Sequence, residues 1–229
     1  MTIGAQEKVR LLRSIPLFSS VDDSTMRLLS HGAIQRSFKR TACIFRKDDP
    51  GDALIVIHTG EVKICVTAPE GREVIFNIMH PGDAFGEIAL LDKRRRTADA
   101  IAATDSELLF VRQADFQKLL RDDMNLALKV IDLLCERLRF ASEQVEDLTF
   151  HDAATRLAKL LLRLSEPSAT QAPLKVTQQD VSDMVGLSRE ITNRRLNQLA
   201  RSGAIRLQRG QIHVLSRDVL MRVARVSVV

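Results

Sequence analysis

Between Met124 and Leu148 the chain carries two helical periodicities at once, and no proline or glycine interrupts them. Every seventh residue from Met124 is apolar (Met124, Ile131, Leu138, Val145), and so is the residue three places after each (Ala127, Leu134, Ala141, Leu148). A 3.5-residue repeat sustained in this way keeps one stripe facing a partner helix, as in a two-stranded coiled coil. A second stripe, Leu126, Val130, Leu133 and Phe140, covers another face, so the first half of the helix must also pack on its own domain. The competing reading is a buried amphipathic helix in a monomer. The flanks decide against it: a glycine-punctuated β region precedes the helix and a helix-turn-helix pattern follows it. The segment therefore reads as both the interface of a homodimer and a mechanical link between domains.

The 229 residues suit two domains with ample core, and 45% hydrophobic with 28% charged residues is ordinary for a soluble globular chain. Net charge is +5 but unevenly held. Residues 149–229 carry 13 Lys and Arg against 6 Asp and Glu, whereas residues 1–148 carry 21 against 23. A basic C-terminal third on a near-neutral body is the electrostatic footprint of a polyanion binder. No window approaches the roughly 18–20 apolar residues of a membrane span, and the charged start (Glu7, Lys8, Arg10, Arg13) lacks a signal-peptide core. Cys43, Cys65 and Cys135 are too scattered for a disulfide framework or a cysteine metal cluster. The expected setting is the reducing cytoplasm, with no membrane contact.

Residues 5–14 and 22–31 read as short helices around Ile15-Pro16-Leu17-Phe18. From Ala33 to Arg112 the pattern changes to short β-branched and aromatic runs: Leu54–Ile57, Val62–Val66, Val74–Met79 and Glu107–Val111. Turn chemistry separates them at Asp48–Asp52, His58–Glu61, Pro69–Arg72 and His80–Asp83. That even spacing predicts a compact antiparallel barrel or roll. A helical segment opening at Asp115–Leu120 is expected to continue into the long helix.

One stretch inside the β region departs from the pattern: Phe85-Gly86-Glu87-Ile88-Ala89-Leu90-Leu91-Asp92-Lys93-Arg94-Arg95-Arg96-Thr97-Ala98. It reads as a helical turn opened by Gly86 and Glu87, then a basic loop returning to a strand. The residue types suit a phosphorylated ligand. Unpaired N–H groups at a helix start favour an anion, an arginine fork matches two phosphate oxygens, and a carboxylate accepts a sugar hydroxyl. Each has a bland rival: Arg94-Arg95-Arg96 as a solvated run, Glu87 as a helix cap.

Gly86-Glu87, Ala89-Leu90-Leu91 and Arg96-Thr97-Ala98 together look like the phosphate-binding cassette of cyclic-nucleotide-binding domains, with Gly51, Gly60, Gly71 and Gly82 where that β-roll places its turns. The resemblance extends over nearly the whole chain to the Crp–Fnr family of bacterial transcription regulators. It implies that Glu87 holds the ribose 2′-hydroxyl, and that Arg96 and Thr97 hold the cyclic phosphate beside N–H groups near Gly86. It also implies that Ile64, Phe76 and Phe85 line the pocket. The family directs the base toward two adjacent hydroxyl residues on the dimer helix. Here these are Ala141 and Ser142, so one hydroxyl is missing. Losing such a partner at a buried amine costs on the order of 1–3 kcal/mol. The resemblance makes cyclic AMP the leading effector, with cyclic GMP close behind because Thr97 is what cyclic-GMP-preferring domains tend to carry. The iron–sulfur branch of the family uses an N-terminal cysteine cluster that this chain lacks. The haem branch needs a cysteine to accompany a histidine such as His80. Neither cofactor is expected.

Downstream, Asp152 is a good N-cap for a helix over Ala153–Leu164, so the coil must break near Phe150-His151; in the family this is the hinge, Phe150, His151 and Asp152. Glu166–Pro173 reads as a surface loop. Thr177–Val185 reads as a short capped helix, Gly186-Leu187 as a tight turn, and Ser188 as the cap of a second helix to about Arg201, with Val181, Val185, Leu187, Leu196 and Leu199 burying the pair. That is a helix-turn-helix; Ile205–Leu207 and Gln211–Leu215 flank Gln208-Arg209-Gly210 as a hairpin wing. The run Gly186–Arg194 resembles the family's recognition motif. The likeness implies that Arg189 and Arg194 pair with guanine, Glu190 accepts from cytosine N4, and Ser188 touches a phosphate. Arg195 and wing Arg209 would reach the DNA backbone.

The expected class is α+β: a β-roll cyclic-nucleotide-binding domain over residues 1–122, a dimerisation helix over 123–150 and a winged helix-turn-helix over 151–229. The resemblance implies a homodimeric regulator that binds palindromic double-stranded DNA with half-sites like TGTGA, responds to a cyclic nucleotide, contacts RNA polymerase and has no enzymatic activity. Two alternatives stay open: a nucleotide-independent regulator of the same type, and a ligand-binding subunit that regulates a partner enzyme.

Overall fold

The computed structural model describes residues 3–165, 173–174, 176–208 and 210–225. Its contacts divide the chain into two compact units, Met1–Leu138 and Arg139–Val229.

The first unit opens with α1 (Ala5–Ser14), a 3₁₀ turn at Pro16–Phe18 and α2 (Asp23–Gly32). Asp22 caps α2, accepting from the N–H groups of Ser24 and Thr25 at 2.9 and 3.0 Å. Hydrogen bonds from Ser24 and Thr25 hold its carboxyl far below the usual carboxylate range. There follow β1 (Ile34–Phe38), β2 (Cys43–Phe45), β3 (Ala53–Thr59), β4 (Val62–Thr67), β5 (Glu73–Met79), β6 (Ala84–Phe85), α3 (Glu87–Asp92), β7 (Asp99–Ala102), β8 (Ser106–Arg112) and α4 (Gln113–Asp122).

The strands form two antiparallel sheets, ordered β1-β8-β3-β6 and β2-β7-β4-β5. Period-2 alternation distributes β3 and β8 between two cores. Ala53, Ile55, Ile57, Leu108 and Phe110 join Val62, Met79, Phe85 and Ala100 in one cluster. Leu54, Val56, Leu109 and Val111 join Leu12, Phe18, Met26, Phe116 and Leu126 from the helices in the other. Both faces of β3 and β8 are therefore covered, which is why their sequences run apolar almost without a break.

The four anticipated runs all lie inside observed strands, β3, β4, β5 and β8. One expectation fails. The segment opening at Asp115–Leu120 does not continue into the long helix: α4 ends at Asp122, and Asp123 turns out to φ −127° and ψ 102° before α5 (Met124–Phe150) begins. Asp123 Oδ1 accepts from the N–H groups of Asn125 and Leu126 at 2.9 and 3.1 Å. A short side chain that satisfies the first free donors of a new helix competes with continuation of the old one.

The second unit comprises the C-terminal half of α5, then α6 (Ala153–Leu164), β9 (Pro173–Leu174), α7 (Gln178–Val185), α8 (Arg189–Arg201), β10 (Ile205–Gln208), β11 (Gln211–Val214) and α9 (Arg217–Ala224). Pro173 lies in β9; the rest of the expected loop, residues 166–172, lies outside the described residues. Thr177 and Asp180 form a reciprocal capping box at the start of α7. Gly186 ends that helix at φ 65°, a left-handed turn that costs a glycine least. Val181, Val185, Leu196 and Leu199 are buried between α7 and α8, while Leu187 is half-buried. The anticipated wing is β10 paired with β11, with β9 added at its edge.

Candidate nucleotide cassette and DNA interface

The cassette hangs between β6 and β7. Gly86 stands before α3 at φ 85°, and an added Cβ there would lie 2.4 Å from Arg96 Nη1, so a glycine is required by both conformation and space. The loop after α3 is held back on the β2–β3 turn by a reciprocal backbone pair: Asp48 N–H donates to Arg96 O, and Arg96 N–H to Asp49 O, each at 2.9 Å.

That backbone delivers two charged side chains into low-dielectric positions, Glu87 at 3% exposure and Arg96 at 4%. Arg96 donates from Nη1 to Gly86 O at 2.8 Å and from Nη2 to Ala53 O at 2.9 Å. Its carbon Cζ lies 4.3 Å from the centroid of the Phe45 ring, and its Nε–H is buried with no partner. Asp52, 3.9 Å away, is 90% exposed and so well screened by water. Burial pulls the Arg96 guanidinium below its ordinary value, opposed by the charges of Asp52, Glu87 and Asp49. A buried donor without an acceptor costs about 1–3 kcal/mol, and an anion laid against it removes that cost.

Glu87 has a counter-charge that the sequence did not single out. Arg137 of α5 brings its Nε to 3.6 Å from Glu87 Oε1, while Nη2 donates to Ala84 O at 3.1 Å. Thr97 is exposed beside Arg96. Of the three expected pocket-lining residues, Phe85 is buried and Ile64 half-buried against the inter-sheet core, whereas Phe76 is 41% exposed. Ala141 and Ser142 lie on the C-terminal half of α5, in the second unit, and both are exposed.

The two stripes of α5 part company. Leu126 and Val130 are buried in their own unit and Leu133 and Phe140 are half-buried. The heptad positions Met124, Ile131, Leu138, Val145 and Leu148 are 74, 54, 68, 64 and 59% exposed, whereas Ala127 and Leu134 of the same repeat are half-buried, Leu134 against the core of the first unit.

At the end of that helix, Phe150 is 77% exposed and Asp152 caps α6, accepting from Thr155 N–H at 2.9 Å. Lys159 Nζ donates to Asp147 Oδ1 at 2.6 Å, and His151 Nδ1 lies 2.8 Å from the same oxygen. Burial raises the Asp147 carboxyl, but the hydrogen bonds and charges of Lys159 and His151 outweigh it and hold the group below its usual range.

On α8 the side chains of Arg189, Glu190 and Arg194 are exposed, and Glu190 and Arg194 stand one turn apart. Ser188 Oγ accepts from Ile191 N–H at 3.3 Å, which leaves its own O–H to donate. Arg195 is half-buried and folds along the helix, donating from Nη1 to Gln198 Oε1 at 2.9 Å. Arg209 lies outside the described residues.

Comparison with known proteins bears on both regions. Residues 35–123 match the cyclic nucleotide-binding domain family, and residues 155–223 match the Crp-like helix-turn-helix domain. A CRP-like cAMP-activated global transcriptional regulator of Mycobacterium tuberculosis (strain H37Rv) is 32% identical over 221 residues, 94% of this chain and 99% of its own length. The cyclic AMP receptor protein of Thermus thermophilus is 31% identical over 214 residues, 93% and 98% of the two chains. The chain belongs to the Crp–Fnr family.

Among solved structures, FixK2 from Bradyrhizobium japonicum superposes with a TM-score of 0.77 at 25% identity, covering 86% of this chain and 99% of its own. Like other Crp–Fnr regulators, the chain joins a cyclic nucleotide-binding domain to a DNA-binding helix-turn-helix. Two residues of the cassette escaped the reading of the sequence. Arg137 carried a usable signal, because it stands one helical turn before Ala141. Phe45 carried none: its approach to Arg96 depends on a register shift in β2 between Cys43 and Phe45.

Proposed function

We propose that this Crp–Fnr regulator is a homodimer whose DNA affinity is controlled by a cyclic nucleotide bound at the cassette, cyclic AMP first and cyclic GMP second. The observation that carries the reading is the buried Arg96 guanidinium with an unpartnered Nε–H beside the buried Glu87 carboxylate. A cyclic phosphate supplies the missing acceptors, and a ribose 2′-hydroxyl donates to the carboxylate. Thr97 adds a second phosphate donor, with Gly86 letting the backbone approach. Phe85 and Ile64 supply the apolar wall and Phe76 an aromatic rim; Ser142 meets the base. The strongly exposed heptad stripe of α5 supports pairing with a second copy.

On the DNA side, Arg189 and Arg194 read guanines, Glu190 reads cytosine, and Ser188, Arg195 and Arg209 hold the backbone of a two-fold symmetric site. The organisation into residues 1–122, 123–150 and 151–229, hinged at Phe150, His151 and Asp152, follows from that reading. RNA polymerase is the expected downstream partner, the chain acts by binding rather than by catalysis, and its setting is the cytoplasm.

The test is a calorimetric titration with cyclic AMP and with cyclic GMP, on the intact chain and on Arg96→Ala. It is paired with fluorescence anisotropy on a duplex carrying two TGTGA half-sites one helical turn apart. Wild type should bind at least one nucleotide, and the nucleotide should tighten DNA binding; Arg96→Ala should lose both effects while remaining folded. Nucleotide affinity unchanged in Arg96→Ala would place the ligand elsewhere, and DNA binding indifferent to either nucleotide would favour a constitutive regulator.

A further inference from the structure

Arginine lies over a phenylalanine ring at Arg36–Phe110, Arg96–Phe45 and Arg163–Phe140, with centroid distances of 4.8, 4.3 and 4.6 Å. Arg36 is exposed, so water competes for its charge, while Arg96 is buried; Arg163, partly desolvated, lies on α6 in the second unit. A cation over an aromatic face is held most strongly where it is desolvated, so within the β-roll the Phe45 contact is the one with energetic weight.

The geometry also fixes direction. A guanidinium has five N–H groups in one plane. The carbonyls of Gly86 and Ala53 take one proton from each Nη. Those two bonds fix two points of the plane, and the Phe45 face opposes tilt about the line between them. What remains free is Nε–H and the second proton on each Nη. The ring is itself seated: the register shift in β2 sets its direction, and Phe85, the residue before Gly86, packs against it with centroids 6.0 Å apart.

We propose that Phe45 is a positioning residue for the anion site: its ring holds the Arg96 guanidinium in the orientation that offers Nε–H to a cyclic phosphate, and partly replaces the hydration the cation has lost. The inference rests on the cyclic-nucleotide reading of the cassette. Phe45 does not touch the ligand in this account; it acts through Arg96. If the ring served only to fill space beside the inter-sheet core, an aliphatic side chain of similar volume would do as well.

The experiment separates π-character from volume. Phe45 is replaced by leucine, by tyrosine, and by phenylalanine carrying one, two or three ring fluorines, which withdraw charge from the face with little change of shape. Cyclic AMP and cyclic GMP affinities are measured by calorimetry, and thermal unfolding is followed alongside. Phe45→Leu should weaken nucleotide binding about tenfold and Phe45→Tyr should restore it. The fluorinated series should lose affinity stepwise at constant unfolding temperature. A flat fluorine series, or full affinity in Phe45→Leu, overturns the role of Phe45 while wild-type binding leaves the cassette reading intact. Wild type that binds neither nucleotide overturns both.

Discussion

Two alanine substitutions on α5, Leu126→Ala and Leu138→Ala, should have opposite consequences although both delete the same atoms from the same helix. Leu126 is fully buried among Leu12, Phe18, Met26 and Phe116. Its truncation leaves a cavity and should lower the unfolding free energy by about 2–5 kcal/mol, with no direct effect on self-association. Leu138 is 68% exposed, so about two-thirds of the roughly 2 kcal/mol available from burying a leucine is still to be gained. Two copies meet across a two-stranded seam, which brings the expected loss to about 2–3 kcal/mol of dimer, or roughly fiftyfold in dissociation constant. Sedimentation equilibrium over nanomolar to micromolar chain reads the second effect. Thermal unfolding at several concentrations reads the first, because a folded dimer makes the midpoint concentration-dependent. An unchanged dissociation constant for Leu138→Ala would refute the assignment of the exposed stripe to a second copy. A weaker dimer at unchanged stability in Leu126→Ala would refute the division of the helix into two faces.

Gly86→Ala should abolish nucleotide affinity by calorimetry and cost about 1–3 kcal/mol in denaturant unfolding, since the methyl would lie 2.4 Å from Arg96 Nη1 at a φ of 85°. Thr177→Val should destabilise the reader domain by about 1 kcal/mol, because it removes the acceptor of Asp180 N–H and half of the capping box; hydrogen exchange of the α7 amides checks it. Asp147, held below its ordinary value in the folded state, contributes stability at pH values above its unfolded value near 3.9 and loses it as pH falls through the lower folded value. The stability difference between wild type and Asp147→Asn in urea should therefore be full at pH 7, about 1 kcal/mol, and shrink as pH falls below the unfolded value.

The parts of the fold legible in the sequence were those with long periodicity or capping chemistry. α6 was readable from Asp152 and its apolar spacing, α7 and α8 from Thr177, Gly186 and Ser188, and the central strands from runs made apolar by burial on both faces. Hidden from the sequence were elements too short or too polar to have a pattern. β6 is two residues long, and β1 carries Gln35, Arg36 and Ser37 along a sheet edge. The break at Asp123 was missed because apolar spacing resumes at once on its far side. In the cassette, the resemblance to cyclic-nucleotide-binding domains pointed to Gly86, Glu87, Arg96 and Thr97. The ring partner of Arg96 comes from a distant strand through a bulge, which leaves no record in the sequence, whereas the partner of Glu87 on α5 was marked by its place one turn before Ala141.

Among the described residues α5 is the element with a half in each unit. In the first, Arg137 stands 3.6 Å from the Glu87 carboxylate and donates to Ala84 O. In the second, Asp147 is joined to Lys159 of α6 and Arg163 lies over Phe140. A nucleotide bound as proposed at Glu87 and Arg96 would meet the helix through Arg137, where it leaves the β-roll, and the next turns are fastened to the reader. The seam residues Val145 and Leu148 lie on that fastened half and are exposed in a single chain. Pairing of the second half of α5 with its counterpart and placement of the two readers are thus one event in the proposed dimer. A nucleotide shifts it only by the difference in its affinity for the paired and unpaired forms. Moving the readers from about 1% to 99% paired needs roughly 5.5 kcal/mol of such difference. Contacts made equally in both forms, such as that of the phosphate with Arg96, cancel in that difference, so it must come from contacts that only the paired form offers.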